Sequence, residues 1–345
     1  MKVIMLTSFG GPSCLQVQTL PDPVAGPGQV LVRVHAAGLN FAEIMARQGL
    51  YDGCPKPPVV LGYECAGVVE AVGPDVTSIA VGTRVMAMKN FGCWTDLLQT
   101  DADAVWPIPD SMSFEIAAAI PVTYITAYIC LFDMGNLRPN QSLLVHMAAG
   151  GVGIAATQLA RTVPNVRIFG TASAAKHQVV KENGVDVPID YRTTDYAPIV
   201  QQETNNKGVD LILDPLGSEH FMKGYNLLAP LGRQISYGGS TFLNGQSRSL
   251  LHVASEWWKW KSIHPMRLMK DNRMVGGFFA GALASEKTIL KRTVDAIIAL
   301  YHEGKVKPVI DSVHQYENVN DAIDRIITRQ NVGKVILTPN PPANK

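Results

Sequence analysis

Hydrophobic positions follow two different rules along this chain, and the rule changes near Ser142. Before that point apolar residues come in short runs, over residues 2–6, 30–36, 66–73 and 82–88, and glycine or proline separates them, most densely at 21–29. Branched side chains favour extended backbone and such punctuation favours turns, so this part predicts strands. After Ser142 each apolar run leads through a turn into helical spacing: 143–147 into 148–161, 166–171 into 173–183, and 208–214 into 218–228. Gly184 predicts the stop of the second helix, and residues 232–238 add a further strand. Repeated strand, turn and helix predict a parallel sheet. From about Gly276 the tail predicts helices over 291–304 and 319–329 and a last strand over 333–339.

These patterns predict an α/β protein of two domains. Residues 1–122 and 276–345 form a strand-rich catalytic domain, into which residues 123–275 insert a doubly wound Rossmann domain. A length of 345 residues suits two domains at about 150 residues each. With 47% hydrophobic and 17% charged residues the chain can bury a large core, which excludes a disordered or collagenous chain. Thirty basic and 29 acidic residues give a net charge of +1, so no nucleic-acid partner is expected. Five cysteines (Cys14, Cys54, Cys65, Cys93, Cys130) include no Cys-x-x-Cys pair, and their odd number predicts reduced thiols in the cytoplasm. The first residues lack the apolar core of a secretion signal. The apolar stretch 116–132 contains Pro121 and falls short of the ~20 residues that span a bilayer, so no transmembrane helix is expected.

The densest chemical signal lies where the first strand after Ser142 runs into Ala148, Ala149, Gly150, Gly151, Val152 and Gly153 and then a helix. Glycines let a ligand approach the backbone, and the positive helix end favours a pyrophosphate. Dinucleotides with a free ribose 2′-hydroxyl are usually gripped by an acidic residue about 20 positions on. Here that region reads Gly170, Thr171, Ala172, Ser173, Ala174, Ala175, Lys176, with no carboxylate. The Ser173 hydroxyl and Lys176 ammonium suit a 2′-phosphate, which predicts NADPH; in the alternative, Ser173 merely caps a helix and Lys176 is solvated. Gly217, Gly238 and Gly239 follow later strands at the edge where such sheets bind ligands, or serve only as turns.

Segments GLNFAEIMARQGLY (38–51), GYECAGVVEAVG (62–73), TAY (126–128) and AAGGVG (148–153) resemble the medium-chain dehydrogenase/reductase superfamily, in its zinc-free quinone oxidoreductase branch. Within that branch LFDMGNL, LLVHMAAGGVG, VRIFGTASAAKH, PIDYRTTDY, KGYNLL and NVGKVIL are similar to the synaptic vesicle membrane protein VAT-1 family. The resemblance implies a GroES-like catalytic domain and metal-independent, NADPH-dependent reduction of quinones or other conjugated carbonyls. Zinc-containing members carry Cys where this chain has Asn40 and His where it has Tyr63, so no metal is expected. Matched residue by residue, Asn40 and Tyr51 are the substrate-side candidates, with a turn residue and a packing aromatic as the alternatives. Thr126 and Phe278 would face the nicotinamide, Tyr191 the phosphates, and Asn331 and Lys334 would close the site from the tail.

The resemblance also implies a homodimer and a cytoplasmic protein able to sit on mitochondrial outer membrane or vesicles. Residues 248–273 hold six basic and two acidic residues, net +4, around Trp257, Trp258 and Trp260. That mixture suits an anionic membrane surface, or packing against the catalytic domain or a second copy. A rival function is a membrane-trafficking or lipid-handling protein that keeps NADPH binding as a sensor or relic.

Overall fold

The computed structural model describes residues 1–339. The first part of the chain forms β1 (Lys2–Leu6), β2 (Leu15–Thr19), β3 (Gln29–Leu39), α1 (Phe41–Arg47), β4 (Val59–Val60), β5 (Glu64–Val72), β6 (Arg84–Met88), β7 (Leu97–Asp101), β8 (Val105–Pro107), α2 (Phe114–Ala118) and α3 (Pro121–Tyr128). The middle forms β9 (Ser142–Val145), α4 (Gly151–Ala160), β10 (Arg167–Ala172), α5 (His177–Glu182), β11 (Val187–Asp190), α6 (Tyr196–Glu203), β12 (Val209–Asp214), α7 (Glu219–Leu227), β13 (Leu228–Ser236), α8 (Leu250–Lys259), α9 (Pro265–Asp271) and β14 (Met274–Gly277). The tail adds α10 (Lys287–His302), β15 (Ile310–Gln315), α11 (Val319–Ile327) and β16 (Lys334–Thr338).

The middle strands pair in parallel in the order β11-β10-β9-β12-β13-β14. This is the doubly wound Rossmann order, whose ligand crevice opens at the carboxyl ends of the strands. Along β9 the buried side chains alternate, Leu143 and Val145 entering one core and Leu144 another, because a sheet covered on both faces must be apolar on both. In the second large sheet β3 is the organiser: β5 lies along one edge, while β7 and β16 share the other. The tail thus returns to the first part of the chain, with β15 beside β16. The boundaries expected at 122 and 276 fall inside α3 and β14, and residues 340–345 lie outside the described residues.

One local reading changes. The helix expected over 173–183 begins as a 3-10 turn, Ala174–Lys176, before α5, which sets Ser173 and Lys176 at a corner. Segment 248–273, which the sequence marks by its charge and tryptophans, forms α8 and α9 between the last two strands of the parallel sheet.

Candidate functional site

A cavity of about 820 Å³ opens between the carboxyl edge of the parallel sheet and the elements around β3. Every residue predicted for the site lines it except Gly217. Gly217 lies beside the cavity wall at a φ of +72° and donates its N–H to Asp214 Oδ1, with the Trp260 ring against it. Gly238, Gly239 and Phe278 reach the wall from the ends of β13 and β14.

The floor is the turn from β9 into α4. Gly150 is the N-cap of α4 in extended conformation, and no side chain caps that helix end. The first amides of α4 have no intrahelical acceptor, so with the helix dipole they form an anion cradle. A Cβ on Gly153 would lie 2.4 Å from the Met147 carbonyl oxygen, so only glycine lets the helix sit this tightly on the strand. Thr171 pins the turn by accepting from the Met147 N–H at 3.1 Å. Beneath it His146 is buried beside Tyr196, and its Nε2 has no partner among the described residues. Burial, with His220 and Lys223 nearby, pushes its imidazole down to about 3, so it is neutral at pH 7.

One end of the cavity is cationic. Ser173 makes no capping hydrogen bond, which leaves its hydroxyl uncommitted by the helix. The Lys176 ammonium donates to the backbone carbonyls of Arg329 (2.8 Å) and Asn331 (2.6 Å), so it clasps the tail across the cleft rather than extending into solvent. Burial holds it below the usual lysine value. The Arg329 guanidinium lies 5.7 Å from the Tyr191 ring centre. Burial alone would raise the Tyr191 phenol, but hydrogen bonding to Arg329 and Arg192 outweighs it and lowers the phenol. Arg192 and Arg329 both line the cavity and were not among the expected residues. Arg329 had no local signal, since the tail meets the parallel sheet only in the folded chain.

The other end is aromatic and uncharged at its surface. Tyr51 packs against Tyr63, Phe91 and Phe279, with ring centres 5.7, 6.5 and 5.5 Å away. Burial pushes the Tyr51 phenol up to about 12, so it is a neutral donor at pH 7. Thr126 and Thr123 present the α3 side of the wall.

Behind this wall sits a charged cluster that the sequence reading did not assemble. Asn40 lies at the N-cap of α1, not in a loop, in a capping box with Glu43, whose Oε2 accepts from the Asn40 N–H at 2.8 Å. The Asn40 amide donates to Glu64 Oε1 at 2.9 Å and to Glu43 Oε1 at 3.4 Å, and its oxygen accepts from the Lys334 ammonium. Both amide hydrogens are therefore committed to the carboxyl groups of Glu43 and Glu64. Lys334 pairs with Glu64, whose other oxygen accepts from the Val122 N–H at 2.7 Å. Glu64 is 0% exposed and Lys334 4%. The Asn-x-x-Glu spacing of residues 40 and 43 was the available signal for the first half of this cluster.

Residues 26–110 match the alcohol dehydrogenase GroES-like domain and residues 183–337 the zinc-binding dehydrogenase family. The synaptic vesicle membrane protein VAT-1 homolog of Danio rerio is 50% identical over 341 residues, 99% of this chain and 70% of its own length. The chain belongs to the VAT-1 family. With it the chain falls in the medium-chain dehydrogenase/reductase superfamily, its quinone oxidoreductase-like part. The crystal structure of human VAT-1 homolog-like protein is similar at a TM-score of 0.86 and 38% identity, covering 99% of each chain. An Escherichia coli quinone oxidoreductase structure complexed with NADPH is similar at 0.87 and 25% identity, covering 98% of this chain and 100% of that one.

Zinc, which one of these family descriptions implies, does not fit this member of the VAT-1 family. Asn40 offers an amide already taken by Glu64 and Lys334, Tyr63 brings a phenol, and Glu64 already carries the Lys334 ammonium. Among the described residues no group of three or more His, Cys, Asp or Glu side chains could hold a metal ion.

Burial, opposed by the nearby Lys334 charge, pushes the Glu43 carboxyl up to about 8 from its ordinary 4.5. Between those values the folded chain keeps a proton that the unfolded chain has released, so stability falls as pH rises through the window. The slope from this group is about 1.4 kcal/mol per pH unit. Urea unfolding of wild type and Glu43→Gln across the window should show the variant losing that slope. An unchanged slope would mean that Glu43 is ionised in the fold.

Proposed function

We propose that the chain is an NADPH-dependent oxidoreductase that reduces a quinone or another conjugated carbonyl without a metal. The observation that carries this reading is the cationic end of the cavity, where Ser173, Lys176, Tyr191, Arg192 and Arg329 line the wall, no acidic residue follows β10 as far as Lys176, and Asp190 at the end of β11 is held by the backbone amide of Arg192. Hydroxyl, ammonium and guanidinium groups suit a 2′-phosphate, which an acidic residue there would repel. The similar bacterial quinone oxidoreductase with NADPH supports it.

The uncapped amides at 150–153 would hold the pyrophosphate, and Thr126, Phe278 and Asn331 line the way toward the aromatic end. When bound, NADPH supplies a hydride, which with one proton turns a quinone into its hydroquinone. The Tyr51 hydroxyl stays protonated and donates toward the acceptor oxygen as negative charge develops there. Tyr63 and Phe91, both buried, back the Tyr51 ring, while Phe279 lines the cavity and offers a ring face to a planar acceptor. Asn40, its amide committed to Glu43 and Glu64, serves the wall rather than the acceptor.

Steady-state assays of NADPH oxidation against a panel of quinones and enones test this. Lys176→Ala should raise the KM for NADPH roughly 10- to 100-fold with kcat little changed. Tyr51→Phe should lower kcat on the order of 100-fold with NADPH affinity intact. A wild type that turns over none of the panel, or two variants that leave both constants unchanged, would refute the reading.

We further propose a peripheral membrane surface on α8 and α9. No helix among the described residues is long and apolar enough to cross a membrane. Leu251, Trp257 and Trp258 on α8 stand 87%, 72% and 81% exposed, and Met266 and Met269 on α9 are exposed as well. Trp260 differs, since its ring stacks on Phe242 at 5.7 Å. Lys259 and Arg267 pair with Glu256 and Asp271, whereas Arg248, Lys261 and Lys270 have no acidic partner among the described residues. Three free cations give only ~3 kcal/mol at an anionic surface, so tryptophan insertion must supply most of the affinity. The name of the Danio rerio relative, a synaptic vesicle membrane protein homolog, agrees with this surface. A cytoplasmic homodimer belongs to the same proposal, with β14 at one of the two edges of the parallel sheet. Co-sedimentation should require anionic liposomes, weaken with salt, and fall severalfold in Trp258→Ala and in Lys261→Glu with Lys270→Glu. Binding that is absent, or indifferent to salt and to these changes, would assign the two helices to protein packing.

A further inference from the structure

We propose that Lys334 is the positioning residue of this site: a fixed ammonium that holds the substrate wall against the nucleotide turn. The inference rests on the reductase reading and adds a residue that touches neither reacting group. The ammonium reaches two elements at once, Glu64 at the start of β5 and Asn40 at the N-cap of α1. Through Glu64 it holds a third, because the other carboxylate oxygen accepts from the Val122 N–H in α3. Asn40 begins the helix whose Phe41, Ala42 and Met45 line the cavity.

The same short stretch of tail also holds the nucleotide side. Gly333 donates its N–H to the Ala149 carbonyl at 2.8 Å and bridges Gly150. The aliphatic stem of Lys334 passes Gly151, its Cδ 3.8 Å from where a Cβ would stand. Two consecutive residues therefore fix both walls between which a hydride would cross. The Asn40 oxygen and the Glu64 carboxylate both take the ammonium as a partner, so its charge, and not packing alone, sets the Asn40 amide and the first turn of α1. Transfer rates fall steeply when reacting atoms are displaced even slightly.

Lys334→Met removes the charge and keeps the stem, but it leaves Glu64 buried without a counter-ion. The double variant Lys334→Met with Glu64→Gln removes both charges and is the decisive one. Three readouts apply: melting temperature, NADPH affinity by fluorescence, and single-turnover hydride transfer with 4-deuterated NADPH. The double variant should melt close to wild type, bind NADPH within about threefold, and transfer hydride roughly 100-fold more slowly with an undiminished isotope effect. Amide exchange of the protein without ligand should speed up at residues 40–47 and stay unchanged at 151–160.

Transfer within about threefold of wild type in the folded double variant would overturn the proposal, because a purely structural ion pair is restored by removing both charges. So would a loss of NADPH affinity parallel to the loss of rate, or failure of both variants to fold. If the wild type binds NADPH yet reduces no acceptor, the reductase reading fails, and the exchange result alone decides Lys334. Faster exchange confined to 40–47 upholds it, and uniform or absent change overturns it.

Discussion

A carboxylate and an ammonium, both shut away from water, join residues 270 positions apart, and the architecture of the cavity depends on that union. Neither charge is tolerable alone at that depth. Glu64 therefore requires the tail to return from the far side of the parallel sheet, and the tail brings β16 to the edge of β3 as it does so. The Glu43 carboxyl answers the same constraint differently, by keeping its proton, so the cluster of two acids and one base carries no net charge at pH 7.

That neutrality shapes what the two ends of the cavity can do. Charge is concentrated at the Lys176, Arg192 and Arg329 end, where backbone carbonyls and the Tyr191 phenol hold it in place. Around Tyr51 the wall is aromatic, with its ionised pair sealed behind it. An extended ligand that is anionic at one end and planar and apolar at the other meets complementary surfaces along its length. A ligand of uniform charge does not.

The parts of this arrangement visible in the sequence are those whose physical requirement is local. A strand that must turn into a helix under a close ligand needs Gly150 and Gly153 within a few residues, and the missing carboxylate beyond β10 is likewise a matter of neighbours. The alternation of Leu143, Leu144 and Val145 between two cores follows from sheet geometry alone. What stayed hidden depends on pairs brought together by the fold. Asn40 reads as a free donor until Glu64 and Lys334 are found on either side of it, and Arg329 reads as a solvated tail residue until Tyr191 is found beneath it. Trp257 and Trp260 are three positions apart on the same short stretch, yet only Trp260 meets Phe221 and Gly239. Even so, Asn40 and Glu43 had the spacing of a capping box, a local signal for the helix that starts there.

We propose that this cavity selects a dinucleotide by its 2′-phosphate. Calorimetric titration of the wild-type chain with NADPH and with NADH, in one buffer at one ionic strength, tests it most directly. NADPH is expected to bind tighter by roughly 30-fold or more, about 2 kcal/mol, with the difference shrinking as salt is added. Equal affinities, or tighter binding of NADH, would contradict it.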